Sequence, residues 1–420
     1  MTRAMKDSGI EWIGEIPKDW GYVPLKAYYE FEKGKNAALY TQEYIGENEG
    51  PYPVYSGQTQ DEGIMGRVNS YDYDIKKCLF TTTVGAKVMT PKILTGRFCL
   101  SQNCLIMKQI QQVYDNFIYY LLIPLFDYYK SLIPTYMQPS LRIEDLKSYR
   151  FYLPSIPEQQ KIADFLDEKC SHIDSVLEKV RASIDEYKQL KQSAITQAVT
   201  KGIRPNRPMK DSGIEWIGEI PQDWEIRKIK SLGQYRNGLT YAPEDMCEES
   251  NGTLVLRSSN VKQGKISYDD NIYVSTTIPK QLYVRKGDIL VCSRNGSREL
   301  IGKNAIIKDN IVASFGAFMM IYRCDTPEYV YYILNSHVFN YYLGSFLTST
   351  INQLTGKNFG NMSVVYCPNK TEQTEIASYL DDKCSKIDKL ITKKEQLIAE
   401  LETYKKSLIY EYVTGKKEVK

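Results

Sequence analysis

The sequence predicts an α+β protein built twice over: two similar mixed domains joined by two long helices that form an antiparallel coiled coil, with a pseudo-two-fold internal repeat. Three observations predict it. MKDSGIEWIGEIPKDW at 5–20 returns at 209–224 with one change in sixteen, Lys18 against Gln222. The stretch from Pro154 to Gly202 resembles Pro368 to Lys416 at a constant offset of 214. Between these repeats lie two bodies whose strand and turn signals come in the same order while their residues mostly differ. The boundaries that follow are 1–153 and 204–367 for the two domains, and 154–203 and 368–420 for the two helices.

Each opening stretch is too broken by Gly9, Gly14 and Pro17 to be a long helix, and its Ile10, Trp12, Ile13, Ile16 and Trp20 suit burial against the body that follows. The stretch offers only Asp and Glu as chemistry, so it reads as a packing and docking segment. In the first body, PYPVYSGQ (51–58), EGIMGRV (62–68), KKCLFTTTVGAKVMT (76–90) and RFCLSQNCLIMK (97–108) are β-branched and aromatic runs bounded by turn residues. A helix over 115–132, interrupted at Pro124, is predicted next. The second body repeats the pattern with TLVLRSSNV (253–261), KISYDDNIYVS (265–275), GDILVCSRNG (287–296), a strand region over 303–323 and one helix over 327–347.

The two long helices carry the plainest signal. Leu166, Cys170, Ile173, Leu177, Val180, Ile184 and Tyr187 recur at spacings 4-3-4-3-4-3. Leu380, Cys384, Ile387, Ile391, Lys394, Ile398 and Leu401 do the same in the second copy. This is the a/d stripe of a coiled-coil seam. Each run follows a proline and a Glu-Gln pair and stops near Gly202 or Gly415. A helix of this length spans roughly 60 Å, and so narrow a stripe needs a partner, for which the other copy is the obvious choice. Pairing within the chain makes the helices antiparallel, sets the bodies at opposite ends and brings the first residues near the last.

Length and composition bound the function. The 420 residues suffice for about two to four domains. No apolar run is long enough for a membrane span, and MTRAMKDSGIEW lacks the apolar core of a signal peptide, so a cytoplasmic protein with no membrane partner is expected. Nine scattered cysteines without CxxC spacing, and two histidines, His172 and His337, argue for reduced buried thiols and no metal site. Net charge is +3, only mildly basic. The 34 tyrosines suit both strand cores and base contacts.

No Gly-x-Gly, Walker loop, GxSxG or HExxH occurs, so no catalytic residue is assigned and a recognition or scaffold protein is indicated. Polar clusters in both bodies have the chemistry to read DNA. The first body offers Tyr55, Ser56 and Gln58; Thr82, Thr83 and Lys87; Ser101, Gln102 and Asn103; and Gln138. The second offers Arg257, Ser258, Asn260 and Lys262; Arg294, Asn295, Ser297 and Arg298; and Asn352, Gln353 and Lys357. Arg pairs with guanine and Asn or Gln with adenine, while Ser, Thr and Lys hold phosphates. The Arg294–Arg298 segment stands out, with two arginines around Gly296 after an apolar strand.

The whole layout resembles the specificity subunit of type I restriction–modification systems. The resemblance rests on DSGIEWIGEIPxDW at 7–20 and 211–224, on P-x-x-x-EQQ-K-I-A-x-F-L-D at 154–167 with PNKTEQTEIASYLDDK at 368–383, and on helices ending in VTKG and VTGK. PYPVYSGQ and TTTVGAK also look like that family's recognition segments. The resemblance implies that each body is a target recognition domain reading one half of a bipartite DNA site, and that the helices act as a spacer. It implies double-stranded DNA as ligand, and as partners two methylation subunits carrying S-adenosylmethionine and two motor-nuclease subunits using ATP and Mg. It implies no cofactor and no catalysis in this chain, within a bacterial defence system. The other readings the residues leave open are a coiled-coil interaction scaffold and a stand-alone DNA-modifying enzyme.

Overall fold

The computed structural model describes residues 3–58, 61–85, 87–346 and 352–419. It divides into two compact units: residues 1–180 with 396–420, and residues 181–395. The chain passes between them inside each long helix, so each unit holds one body, the first part of one long helix and the last part of the other.

In the first unit the opening stretch forms a hairpin of β1 (Met5–Asp7) and β2 (Glu15–Pro17), not a helix. Gly9 and Gly14 both take φ of +68°, which a side chain would strain, and this fixes the loop between them. Ile13, Ile16 and Trp20 are buried as expected. β3 (Gly21–Pro24) pairs with β10 (Arg150–Leu153), which ties the start of the body to its end. Between them lie β4 (Tyr29–Lys33), α1 (Gln42–Glu47), β5 (Glu49–Tyr55), β6 (Ile64–Val68), β7 (Tyr73–Thr82), β8 (Lys92–Leu100) and β9 (Cys104–Gln109). The six-stranded sheet has order β4-β9-β7-β8-β5-β6, with β5 parallel to β8 and the other neighbours antiparallel.

α2 (Asp115–Ser131) runs unbroken through Pro124, against the interruption expected there. A mid-helix proline costs about 3 kcal/mol. Phe117, Ile118, Leu121, Leu122, Leu125 and Phe126 are all buried, at about 1.5–3 kcal/mol each, so packing outweighs the proline. After α3 (Ile143–Ser148), α4 (Ile156–Lys201) begins.

The second unit repeats the plan. β11 (Met209–Asp211) and β12 (Glu219–Pro221) form the hairpin, and β13 (Glu225–Lys228) pairs with β24 (Ser363–Tyr366). The body contains β14 (Gly233–Asn237), β15 (Met246–Cys247), β16 (Thr253–Leu256), β17 (Val261–Lys262), β18 (Lys265–Ile266), β19 (Tyr273–Val274), β20 (Ile289–Cys292), β21 (Asn304–Ile306), β22 (Ala313–Phe315) and β23 (Met319–Cys324). Here the sheet is split, β14-β23-β20-β21 and β15-β19-β16-β22. The split falls where the single strand β8 is replaced by β21 and β22, with the polar Lys308-Asp309-Asn310 between them.

The helix expected over 327–347 is two helices, α5 (Pro327–Ile333) and α6 (His337–Phe346), and residue 347 lies outside the described residues. Asn335 Nδ2 donates to Tyr331 O at 2.7 Å and Ser336 Oγ to Ile333 O at 2.7 Å, taking the carbonyls that a continuing helix would use. α6 restarts with the His337 N–H donating to Thr196 Oγ1 at 2.9 Å. α7 (Gly356–Asn361) and α8 (Lys370–Val413) complete the chain.

The coiled-coil pairing forms within the chain. In the first unit Lys405 Nζ meets both carboxylate oxygens of Asp174 at 2.7 Å, and Phe165 packs on Tyr412 with ring centroids 4.5 Å apart. In the second, Lys191 meets Asp388 at 2.7 Å and Lys394 lies 5.7 Å from the Tyr187 ring. Numbers rise along one helix as they fall along the other, so the pair is antiparallel. The two ion pairs are the same contact made twice, at the offset of 214. Leu166, Cys170, Ile173, Leu177, Val180, Ile184, Leu380, Cys384 and Ile387 are buried, while Ile391, Ile398 and Leu401 are half-buried. The seam also serves the bodies: Leu166 to Leu177 share one core with Phe117 and Leu121 of α2. No described helix is long and apolar enough to cross a membrane.

Candidate nucleic-acid interface

Parallel pairing of β5 with β8 sets Tyr55 beside Leu100, and the Ser101 N–H donates to Tyr55 O at 2.9 Å. The Thr83 N–H donates to Asn103 O at 2.8 Å, and the Leu141 N–H to Thr83 O at 2.8 Å, with Val84 bridging Ser140. These bonds draw together the loops after β5, β7, β8 and α2, so the polar clusters at 55–58, 82–87, 101–103 and 138–140 share one edge of the first body.

The second unit builds the same frame. Leu256 of β16 lies beside Phe315 of β22, and the Gly316 N–H donates to Leu256 O at 3.0 Å. The Ser293 and Arg294 N–H groups donate to Phe318 O at 3.0 and 3.1 Å, and the Leu354 N–H to Ser293 O at 2.7 Å, with Arg294 bridging Gln353. Thr83 thus corresponds to Ser293, Val84 to Arg294, Asn103 to Phe318 and Ser140 to Gln353. Asn295 Nδ2 donates to Ser258 Oγ at 3.0 Å and Asn352 Nδ2 to Gly296 O at 3.1 Å, knitting the edge further.

The expected residues divide by exposure. Lys87, Gln102, Asn103, Gln138, Arg294, Ser297, Arg298 and Lys357 are exposed, and Tyr55, Ser56, Gln58, Ser258, Asn295, Asn352 and Gln353 are half-buried. Thr82, Thr83, Ser101 and Asn260 are buried, and their polar atoms hold loops. Thr82 Oγ1 donates to Lys87 O, and Asn260 Nδ2 donates to Ser267 O at 3.0 Å and to Asp270 O at 3.2 Å. Two cations are neutralised locally: Lys262, on the β17–β18 hairpin, pairs with Asp269 at 2.8 Å, and Arg257 with Asp270 at 2.9 Å. Arg294 has no carboxylate within ion-pair reach among the described residues, and Arg298 donates to Gly344 O at 3.3 Å.

Some of the residues that shape the units were not singled out from sequence. Arg3 binds Asp19 and Glu158, and Arg207 binds Asp223 and Glu372. Each guanidinium also lies over a tryptophan, 5.6 Å from the Trp20 ring and 5.2 Å from Trp224. The clamp joins each hairpin to the start of the long helix that follows. Its signal was available: the offset of 204 holds two residues before the repeat, from Arg3 to Arg207, across the unlike pair Ala4 and Pro208. The buried Gln159 and Gln373 lock the same helix starts, donating to Pro154 O at 2.9 Å and Cys367 O at 2.6 Å. On the shared edge itself, Tyr136 and Phe318 are large exposed side chains, 86% and 57% accessible, that composition hid among turn residues.

Residues 17–184 and again 221–403 match the type I restriction modification DNA specificity domain. The chain belongs to that family. As a type I specificity subunit its role is DNA sequence recognition. The type I subunit is 25% identical to the type I restriction enzyme MjaVIII specificity subunit of Methanocaldococcus jannaschii, over 96% of this chain and 94% of that protein. It is 23% identical to the StySPI specificity subunit of Salmonella potsdam over 47% of this chain and 44% of that one. In fold it matches a chain from a structure of type I R-M complex assembly and conformational transition, with a TM-score of 0.69 at 15% identity, covering 96% of this chain and 99% of the other.

Proposed function

We propose that each unit reads one half of a bipartite, asymmetric site in double-stranded DNA, and that the paired helices set the gap between the halves. One observation carries this reading: both units build the same four-loop frame but display different side chains from it, Val84 against Arg294, Asn103 against Phe318 and Ser140 against Gln353. A common frame with divergent side chains is what two readers of different sequences require. Two near-identical hairpins, clamped alike by Arg3 and Arg207, suit the recruitment of two identical partners. Those partners are two methylation subunits carrying S-adenosylmethionine, joined for cleavage by two motor-nuclease subunits that use ATP and Mg. The chemistry is theirs, and this chain supplies the address.

The test is methylation-sensitive sequencing of the host genome with and without this chain. Two unlike half-sites separated by a gap of constant length are expected. A contiguous or palindromic modified site would overturn the reading.

A further inference from the structure

We propose that Phe318 and Arg294 form one reading element in the second unit, which recognises a thymine next to a guanine through the major groove. The inference rests on the half-site reading above and deepens it to two bases. Phe318 is 57% exposed at the tip of the β22–β23 turn, in an edge otherwise made of amides, hydroxyls and cations. The turn beneath it is held from several sides. Its carbonyl accepts the Ser293 and Arg294 N–H groups, the Met319 N–H donates to Gly316 O at 2.8 Å, and the Leu239 N–H donates to Phe315 O at 2.7 Å. The backbones touch so closely that a Cβ at Gly238 would lie 2.2 Å from Gly316 O. A rigid turn therefore displays an apolar ring that stays more than half exposed.

Arg294 stacks on that ring, its guanidinium carbon 5.0 Å from the ring centroid. Stacking orients the planar fork, and with no carboxylate partner among the described residues the fork is free to bind the O6 and N7 of guanine. A phenyl ring cannot make hydrogen bonds. The apolar group that bases present in the major groove is the thymine C5-methyl. The same frame point in the first unit carries Asn103, at φ +64°, whose amide suits adenine. One backbone position is thus an amide reader in one unit and an apolar reader in the other.

The experiment uses the complex of the full chain with its methylation subunits and duplexes carrying the mapped site. Replacing the thymine by uracil removes only the methyl group. Wild type should lose about fourfold in affinity, and Phe318→Ala should lose affinity for the thymine duplex but not respond to the replacement. Phe318→Tyr should respond as wild type does, and Arg294→Ala should relax the guanine alone. Equal sensitivity of wild type and Phe318→Ala to uracil, or none in wild type, overturns the proposal; a ring wedged between base steps would give the latter. Exchange of residues 226–366 for a relative's body separates the two readings. If the exchange moves the second half-site while Phe318→Ala is silent, only this inference falls. If the exchange moves nothing, the half-site reading falls with it.

Discussion

Arg207 carries more of the second unit's stability than its surface neighbours suggest. Glu372, its partner, has a side chain only 1% accessible, so removing the arginine strands a buried carboxylate. Arg207→Ala is expected to cost about 3–5 kcal/mol, read from urea unfolding. Arg3→Ala should cost less, because Glu158 keeps 24% of its side chain in contact with solvent; equal losses would discard this account of the clamp. Asp115 gives a pH-dependent counterpart. It is 7% accessible at the start of α2, and burial pushes its carboxyl above the usual range, against the pull of the Tyr29 hydroxyl at 2.5 Å and of Lys77. A carboxyl raised on folding favours the native state most fully below the ordinary value of about 3.9, and that contribution is lost as pH rises through its elevated native value. Asn mimics the neutral acid and still accepts from Tyr29. Asp115→Asn should therefore gain on wild type as pH is raised from about 4 to 7, and parallel stability curves would show that folding does not raise the Asp115 carboxyl. The Glu-Gln pairs at the start of each long helix were visible in the sequence. That Gln159 and Gln373 are buried locks was not, since their partners are carbonyls with no sequence signature.

At the scale of elements, the heptad runs were the most legible feature, because a 3.5-residue period is local and needs no knowledge of neighbours. Sequence spacing missed that the first half of the seam packs on α2 as well as on the other helix. Helix breaks were also misjudged in both bodies. Pro124 stays inside α2 because the buried face outweighs one lost hydrogen bond, while 327–346, with a proline only at its first residue, breaks at Asn335 and Ser336. If the paired helices set the gap, inserting one heptad into each helix, at 180/181 and 395/396, adds about 10 Å of helix, or about three base pairs at 3.4 Å each. The modified sites should then carry a gap lengthened by about that amount. An unchanged gap, with both half-sites intact, would remove the spacer idea.

For the whole molecule, the decisive test is modular. Exchanging residues 25–152 for a relative's body should change one half-site in genome methylation maps and leave the other as it was. A change in both would end the two-reader description. The sequence by itself determined that the protein is built twice and that it carries two long helices. These signals are repeats and short periods, which survive without any tertiary context. It also marked the polar clusters of each body, but as separate turns. Only the tertiary structure decided that they form one edge, because the pairing of β5 with β8 and of β16 with β22 joins segments far apart in the chain. Only the tertiary structure withdrew Arg257 and Lys262 into local ion pairs and set Phe318 at the tip beneath Arg294. Exposure and pairing are properties of neighbours in space, and a sequence names neighbours only along the chain.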